Sequence, residues 1–198
     1  MKNKPRYVSR GGLKLEGALQ AFPVKAEGKI CLDIGSSTGG FTDCLLQNGA
    51  IRVHAVDVGT NQLVWKLRND PRVVVKEQFN ARYMTPADLG EKVQLIVSDV
   101  SFISLTKILP AAYDCLEEGG DLLVLIKPQF EAGRGQVGKK GVVRDINVHY
   151  EVAENIVNFA KEIEFMEIIV FIFIYSFFPK FFTISFSRSD SSHICAAA

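Results

Sequence analysis

The sequence between Lys29 and Phe41 decides the fold, and it reads KICLDIGSSTGGF. Its first six residues form a short apolar run that stops at Gly35, which is typical of a buried strand. A glycine pair then opens a segment whose apolar residues recur at helical spacing until Gly49. A strand, a glycine turn and a helix in this order predict a βα unit of a parallel sheet.

The same alternation continues along the chain. Apolar runs predict further strands at 53–58, 73–75, 93–97 and 122–126, and helical patterns lie at 62–68, 105–116 and 146–163, with Asp145 as the N-cap of the last helix. These units predict an α/β fold of the Rossmann type, with a mostly parallel central sheet and helices on both faces. Ligands of such sheets bind beyond the carboxyl ends of the strands.

Composition excludes several classes of protein. The chain has 198 residues, 47% of them hydrophobic and 23% charged, which fits one globular domain. Its 23 basic and 22 acidic residues give a net charge of +1, so no overall field indicates a nucleic-acid or membrane partner. The four cysteines form no Cys-x-x-Cys pair, so we expect no disulfide framework, no metal site and a reducing cytosol. The first residues lack the apolar region of a secretory signal.

The chemistry is expected at the end of the first strand. Asp33 precedes the first glycine, and the turn lacks the Gly-x-Gly-x-x-Gly pattern of dinucleotide binding, so a pyrophosphate ligand is disfavoured. An acid in this place suits a ligand with an amino group. Asp57 ends the second strand, where a carboxylate can accept both ribose hydroxyls of an adenosine. Together they predict S-adenosylmethionine as the cofactor; the alternative is a helix-capping Asp33 and a solvated Asp57.

Four motifs carry a resemblance to a known family. They are YVSRGGLKL at 7–15, DIGSSTGGF at 33–41, SDVSFIS at 98–104 and LIKPQFE at 125–131. In order and spacing they resemble the hemolysin A/TlyA group of FtsJ-like ribosomal RNA methyltransferases. The resemblance implies methyl transfer from S-adenosylmethionine to a ribose 2′-hydroxyl of ribosomal RNA. The expected cofactor-binding residues are Asp33, Gly35, Ser36, Gly39, Gly40, Phe41, Asp57 and Asp99.

The resemblance also implies a catalytic tetrad of Lys, Asp, Lys and Glu. By motif, Lys14, Asp99 and Lys127 match its first three members. The pattern is chemically reasonable, because a ribose hydroxyl is a poor nucleophile that needs a nearby base or a cation to stabilise the developing alkoxide. The fourth acid belongs to the family's final strand, yet no acid follows Glu167 before Asp190. The sequence therefore leaves open whether catalysis is impaired.

Basic residues at two places are candidates for RNA contacts. Family members carry a small S4-type RNA-binding domain before the Tyr-Val-Ser-Arg-Gly-Gly motif, whereas six residues precede Tyr7 here. We expect RNA to contact the basic N-terminal arm and the glycine-rich loop instead. The alternatives are a frayed terminus and a solvated lid. The candidate RNA-binding residues are Arg6, Arg10, Arg134, Lys139, Lys140 and Arg144.

Three segments are expected along the chain: a basic arm and helix at 1–28, the methyltransferase domain at 29–165, and a divergent, phenylalanine-rich tail at 166–198. The apolar run 168–178 is too short to span a membrane. It predicts a buried strand or a hairpin that turns at Pro179-Lys180, and the stretch from Ser185 onward reads as a featureless tail. The shift in composition is also typical of an altered C-terminus.

The hypothesis is therefore a ribosomal RNA 2′-O-methyltransferase that acts in the cytoplasm on ribosomal RNA or a ribosomal subunit, without stable membrane insertion. An organelle is the alternative location if a leader precedes the sequence. Two other functions stay open: a cofactor- or RNA-binding remnant without turnover, supported by the missing acid, and a membrane-active hemolysin, suggested by the apolar tail. A dehydrogenase is disfavoured because the dinucleotide glycine pattern is absent. The sequence predicts no oligomeric state.

Overall fold

The structure is a computed structural model that describes residues 5–163 and, beyond them, the backbone of three strands. The helices are α1 Gly11–Ala21, α2 Gly40–Gln47, α3 Trp65–Arg68, α4 Pro86–Leu89, α5 Leu109–Cys115, α6 Pro128–Glu131 and α7 Ile146–Glu162. Short 3-10 turns lie at Ala81–Tyr83, Leu105–Lys107 and Arg134–Gln136. The strands are β1 Ile30–Ile34, β2 Arg52–Val56, β3 Val73–Lys76, β4 Val93–Ser98, β5 Leu116–Ile126, β6 Ile168–Phe173, β7 Phe181–Ser185 and β8 His193–Ala197.

All eight strands belong to one sheet, in the order β3-β2-β1-β4-β5-β6-β7-β8. Every pairing from β3 to β6 is parallel, which confirms the predicted α/β class. The order 3-2-1-4-5-6 is that of doubly wound nucleotide-binding folds. Strands β2 and β3 are added on one side of β1, and β4 to β6 are added on the other side, so the strand order reverses between β1 and β4. A crevice opens beyond the strand ends at such a switch point.

Helices cover both faces of this sheet. Alternate residues of a strand point to opposite faces, so Leu32 and Ile96 join one core cluster while Cys31 and Leu95 join the other. The first cluster includes buried residues of α5 and α7, and the second includes those of α1, α2 and α3. The predicted two-sided coverage is confirmed.

The first helix is held against the second by glycines. A Cβ on Gly40 would lie 2.3 Å from Ser9 Oγ and 2.9 Å from the backbone nitrogen of Gly12, distances that no real Cβ adopts. A Cβ on Gly12 would lie 2.4 Å from the ring of Tyr7. The Ser-Arg-Gly-Gly motif therefore lets α1 approach the N-terminus of α2 at backbone distance, which fixes the position of Lys14 one turn further along α1.

Two predicted helices differ from those observed. The helix expected at 62–68 begins at Trp65, because the Glu77 carboxylate accepts hydrogen bonds from the backbone N–H groups of Asn61, Gln62 and Leu63. Those groups are therefore satisfied without a helical turn. The helix expected at 105–116 is divided into the 3-10 turn Leu105–Lys107 and α5.

The fifth strand starts earlier than predicted. It begins at Leu116, which pairs with Val93, and runs through Gly119 and Gly120 to the strand predicted at 122–126. The register shifts between Val93 and Leu95, and Gly119 has φ +75°, a left-handed conformation that suits such an irregularity.

Beyond residue 163 the backbone continues the sheet. β6 pairs parallel with β5, and β7 pairs antiparallel with β6, as the hairpin prediction requires. The expected turn at Pro179-Lys180 lies outside the described residues. The featureless tail was wrong for 193–197, because β8 pairs antiparallel with β7 and so gains ladder hydrogen bonds that composition does not reveal. The division of the chain at residues 28 and 165 stays a prediction.

Candidate active site

Lys14, Asp99 and Lys127 meet at the switch point. Asp99 follows β4, Lys127 follows β5, and Lys14 reaches the same place from α1. Asp99 Oδ2 lies 3.2 Å from Lys14 Nζ, and Asp99 Oδ1 lies 2.6 Å from Lys127 Nζ. All three side chains are only 18% exposed, so this carboxylate bridges two lysines in a site largely shielded from water.

Contacts with α1 and α2 hold the residues just before α1 in place. Asp43, which is buried on α2, accepts a hydrogen bond from the backbone N–H of Val8 through Oδ2. Arg6 pairs with Glu16 of α1, and its guanidinium lies 5.4 Å from the centre of the Tyr7 ring. The side chain of Arg6, a candidate RNA contact, is thus engaged within the arm.

A partly buried acid joins the loops that carry Asp99 and Lys127. Glu131 ends α6, and its carboxylate accepts hydrogen bonds from Ser104 Oγ at 2.6 Å and from the backbone N–H of Leu105 at 2.8 Å. Burial raises the pKa of the Glu131 carboxyl above its ordinary value, against the lowering effect of these two bonds. The acid that ends the Leu-Ile-Lys-Pro-Gln-Phe-Glu motif therefore fixes loop geometry.

A cavity of about 340 Å³ opens on one side of Asp99. Its walls are largely apolar, and Asp57 and Asn80 add polar groups. Asp57 lies at the end of β2, as predicted, and its two carboxylate oxygens accept hydrogen bonds from the backbone N–H groups of Ser37 (2.8 Å) and Gly59 (2.7 Å). Each oxygen retains a second lone pair that can face a ligand.

A second cavity, of about 330 Å³, lies on the lysine side of Asp99. The glycine turn and the start of α1 form its walls. Of the expected cofactor-binding residues, those that line one of the two cavities are Gly35, Ser36, Gly40, Phe41, Asp57 and Asp99. Gly39 lines neither; its φ is +98°, and a Cβ there would lie 2.3 Å from Leu67 Cδ1, so its backbone conformation and packing both require glycine.

Asp33 also lines neither cavity. It is fully buried, and its Oδ2 accepts a hydrogen bond of 2.6 Å from Thr42 Oγ1 of α2. Burial raises the pKa of Asp33 to about 7, partly offset by the Thr42 hydrogen bond. The structure thus places this acid beneath the glycine turn, where it joins β1 to α2, rather than at the surface that a ligand would contact.

Two further cavities extend the site away from Asp57. One, of about 240 Å³, is lined by Lys14, Lys127, Val142 and the buried His149, whose Nε2 lies 2.9 Å from the carbonyl oxygen of Val143. The next, of about 540 Å³, shares Val142 and is lined by three of the candidate RNA-binding residues, Lys139, Lys140 and Arg144. Neighbouring cavities share lining residues, and we refer to the four together as the groove.

The remaining candidate RNA contacts lie near this groove. Arg10 lines the cavity beside the lysines. Arg134 begins the short turn Arg134–Gln136, whose last two residues line the far cavity. The structure therefore places Arg10 beside Lys14 and Lys127. The basic residues of the glycine-rich loop lie at or next to the far cavity.

Two residues that line the groove, Asn80 and Phe102, were not predicted from the sequence. Asn80 follows β3 and lines the apolar cavity, and the strand-end rule that selected Asp57 would have found it. Phe102 is 90% exposed and has φ +65°, which is rare for a bulky residue. Its ring centre lies 4.9 Å from that of Phe130, and it presents an aromatic face at the rim of the same cavity.

Comparisons with known proteins agree with this geometry. The FtsJ-like methyltransferase family profile matches residues 7–172. A Bacillus subtilis protein described as "Putative rRNA methyltransferase YqxC" is 60% identical over 159 residues, 80% of this chain and 57% of that relative. The 16S/23S rRNA (cytidine-2′-O)-methyltransferase TlyA of Mycobacterium tuberculosis is 57% identical over 139 residues, 70% of this chain and 52% of that protein.

Solved structures support the same grouping. A "putative hemolysin" from Lactococcus lactis has a TM-score of 0.78 at 58% identity, covering 81% of this chain and 77% of that chain. A Methanococcus maripaludis protein with a TM-score of 0.54 at 17% identity shares the fold alone. The chain spans a little over half the length of the first two curated relatives. The profile covers most of the chain and the identities are high, so the chain belongs to the FtsJ-like methyltransferase family.

Proposed function

We propose that this chain transfers a methyl group from S-adenosylmethionine to a ribose 2′-hydroxyl of ribosomal RNA. The observation that carries the proposal is the Lys14–Asp99–Lys127 cluster between two cavities at the switch point. Relatives named as ribosomal RNA 2′-O-methyltransferases support the choice of substrate. The cytoplasm follows as the proposed location, because that is where this substrate is processed.

The residues present fit the cofactor that the family implies. The apolar cavity beside β2 and β4 suits an adenine, and the Asp57 carboxylate at its edge suits the ribose hydroxyls. The polar cavity between the glycine turn and α1 suits the charged amino-acid end, with the Ser36 hydroxyl and the Arg10 side chain in its wall. Asp99 borders both cavities, so the reacting centre is expected beside it.

The chain's own groups would activate the acceptor. Bound S-adenosylmethionine supplies an electrophilic methyl group, so the protein has to position and deprotonate the hydroxyl. Lys127 Nζ, once neutral, accepts the proton of the 2′-hydroxyl, and Asp99 keeps that nitrogen in place through its 2.6 Å contact. Lys14, held by the same carboxylate, stabilises negative charge on the ribose oxygen.

The groove supports RNA as the acceptor. Its far end carries Lys139, Lys140 and Arg144, which suit phosphates of the backbone. Phe102 at the rim offers a ring on which an unstacked base can lie. The second candidate function, a binding remnant without turnover, keeps its support from the sequence, since Glu131 bonds Ser104 and Leu105 and does not stand in for the missing acid.

The test is methyl transfer to ribosomal RNA with a labelled methyl group on the cofactor, after calorimetry has shown that the chain binds that cofactor. The expected label is recovered in alkali-stable dinucleotides, because a 2′-O-methyl group prevents the neighbouring phosphodiester from being hydrolysed by base. Label on a nucleobase contradicts the proposal. A folded, cofactor-binding chain that transfers no label favours the remnant.

The matched control is a lysine outside the groove. Lys107 is exposed and lines none of the four cavities described. Lys107→Ala is expected to transfer label at the rate of the unaltered chain. A loss of label in this variant would mean that lysine removal acts through general charge and not through the site.

A further inference from the structure

The ammonium group of Lys127 contacts three oxygens within the chain. Its Nζ lies 2.6 Å from Asp99 Oδ1, donates to Ser101 Oγ at 2.7 Å, and donates to the backbone carbonyl of Asp99 at 3.2 Å. The last two contacts are hydrogen bonds, whereas the first is an ion pair without hydrogen-bond geometry.

Loss of one proton leaves these hydrogen bonds possible. A neutral amine has two N–H donors, which match the hydrogen bonds to Ser101 Oγ and to the Asp99 carbonyl, and one lone pair, which stays available for the proton of the 2′-hydroxyl. The bond to Ser101 is the shorter of the two, at 2.7 Å against 3.2 Å. Ser101 Oγ can thus hold Nζ by the same hydrogen bond in both protonation states.

The place of Ser101 suits this role. It lines both the apolar cavity and the polar cavity, so its hydroxyl lies at the boundary where the reacting centre is expected. Two contacts fix its loop against the segment after Lys127: the Phe102 ring lies against Phe130, and Ser104 bonds Glu131. The separation of Ser101 from Lys127 is therefore set by packing around it.

We propose that Ser101 is a positioning residue whose hydroxyl holds Lys127 Nζ against the acceptor ribose in both protonation states of the lysine. The inference rests on the proposed function, in which Lys127 takes the proton of the 2′-hydroxyl. Without the hydroxyl, the amine loses the shorter of its two hydrogen bonds and is free to rotate its lone pair away from the line of transfer.

The direction of the pH effect follows from the groups around Lys127. Asp99 contacts its ammonium, Lys14 shares that carboxylate, and Arg10 and His149 line the cavities that Lys127 also lines. Ser101→Ala leaves all of these in place and removes an acceptor that both forms of Lys127 use. Because a hydrogen bond donated by an ammonium is stronger than one donated by an amine, the loss disfavours the charged form. The variant should therefore deprotonate Lys127 at lower pH while transferring methyl more slowly.

The experiment compares Ser101→Ala, Ser101→Thr and Ser104→Ala. Ser104 lies on the same loop but bonds Glu131, so its variant reports on loop disturbance alone. One readout is the pH dependence of single-turnover methyl transfer at saturating cofactor. The other is the titration midpoint of the Lys127 ε-carbon in nuclear magnetic resonance spectra, identified by its loss in Lys127→Arg.

Ser101→Ala should lower the plateau rate about 10- to 100-fold and move the acid limb and the Lys127 midpoint to lower pH. Ser101→Thr should restore both. An unmoved midpoint in Ser101→Ala, or the same shift in Ser104→Ala, overturns the inference. If no chain transfers methyl, the proposed function fails, while the Lys127 midpoint still decides whether Ser101 bonds that lysine.

Discussion

At the scale of single residues, Asp57 combines two roles in one carboxylate. It accepts backbone hydrogen bonds from the turns at Ser37 and Gly59, and it borders the cavity that suits an adenosine. Replacing Asp57 by alanine would remove the acceptors of both turns. Replacing it by asparagine is the more specific test. Asn retains one acceptor oxygen for a turn but carries no charge for the ribose hydroxyls.

We expect Asp57→Asn to weaken binding of S-adenosylmethionine roughly 10- to 100-fold, which corresponds to the loss of one hydrogen bond to a charged group. Calorimetric titration measures it directly. Asp70→Asn is the matched control, because Asp70 pairs with Arg72 and lines none of the four cavities. Equal affinity in all three chains would remove Asp57 from the cofactor site.

Asp33 makes stability depend on pH. Burial raises its pKa to about 7, above the value of about 3.9 expected in the unfolded chain, so folding favours the protonated form. Its contribution to stability is complete below about pH 4 and is lost as pH rises through about 7. Asn in its place keeps an acceptor for Thr42 and does not titrate.

The free energy of unfolding in urea, measured from pH 4 to pH 8, checks this prediction. As pH rises from 4 to 8, the free energy of unfolding of the unaltered chain should fall by more than about 1 kcal/mol relative to that of Asp33→Asn. Asp114→Asn changes an exposed carboxylate on α5. The difference in unfolding free energy between this variant and the unaltered chain should not change with pH. A flat difference for Asp33→Asn as well would mean that Asp33 is ionised throughout.

At the scale of elements, the approach of α1 to α2 places Lys14 beside Asp99. Gly40→Ala puts a methyl group against Ser9 and the backbone of Gly12, so the helices must separate. We expect a loss of about 1–3 kcal/mol in the free energy of unfolding and a fall in methyl transfer. Gly133→Ala, where a Cβ meets only Gln136 Oε1 at 3.4 Å and which lines none of the four cavities, should change neither. Unchanged stability in Gly40→Ala would show that α1 adapts without cost.

The same elements show what sequence can predict. The strand ends at Asp57, Asp99 and Lys127 were found because apolar runs fix strands, and parallel strands place their carboxyl ends together. The start of α3 was missed because the carboxylate that replaces its first turn comes from Glu77, after the next strand. The position of Asp33 beneath the turn could not be predicted, because the glycine motif does not tell which side of the turn its carboxylate faces; its role towards the cofactor stays a prediction.

At the scale of the whole molecule, the proposed function requires a nearly neutral protein to bind a polyanion. The net charge is only +1, so attraction of RNA depends on where cations lie, and three of them share one cavity. Among the described residues, no helix is long and apolar enough to cross a membrane. RNA contact along the groove predicts a salt dependence set by the number of phosphates that these cations meet.

Lys139→Gln with Lys140→Gln should weaken RNA binding and lower the slope of log affinity against log salt by about 1.4–1.8, which is the release of two counterions. The control pair is Lys92→Gln with Lys107→Gln, two exposed lysines that line none of the cavities. Fluorescence anisotropy of a labelled ribosomal RNA fragment over a range of salt measures the slopes. A larger loss in the control pair would place the RNA elsewhere.

The most direct test of the account is Lys127→Ala, measured for two properties of the same preparation. Because Lys127 is assigned to the proton of the ribose hydroxyl and not to the cofactor, methyl transfer should fall about 10²–10⁴-fold. Calorimetric affinity for S-adenosylmethionine should stay that of the unaltered chain. Transfer at an unchanged rate, or a loss of cofactor binding equal to the loss of transfer, would contradict the central claim.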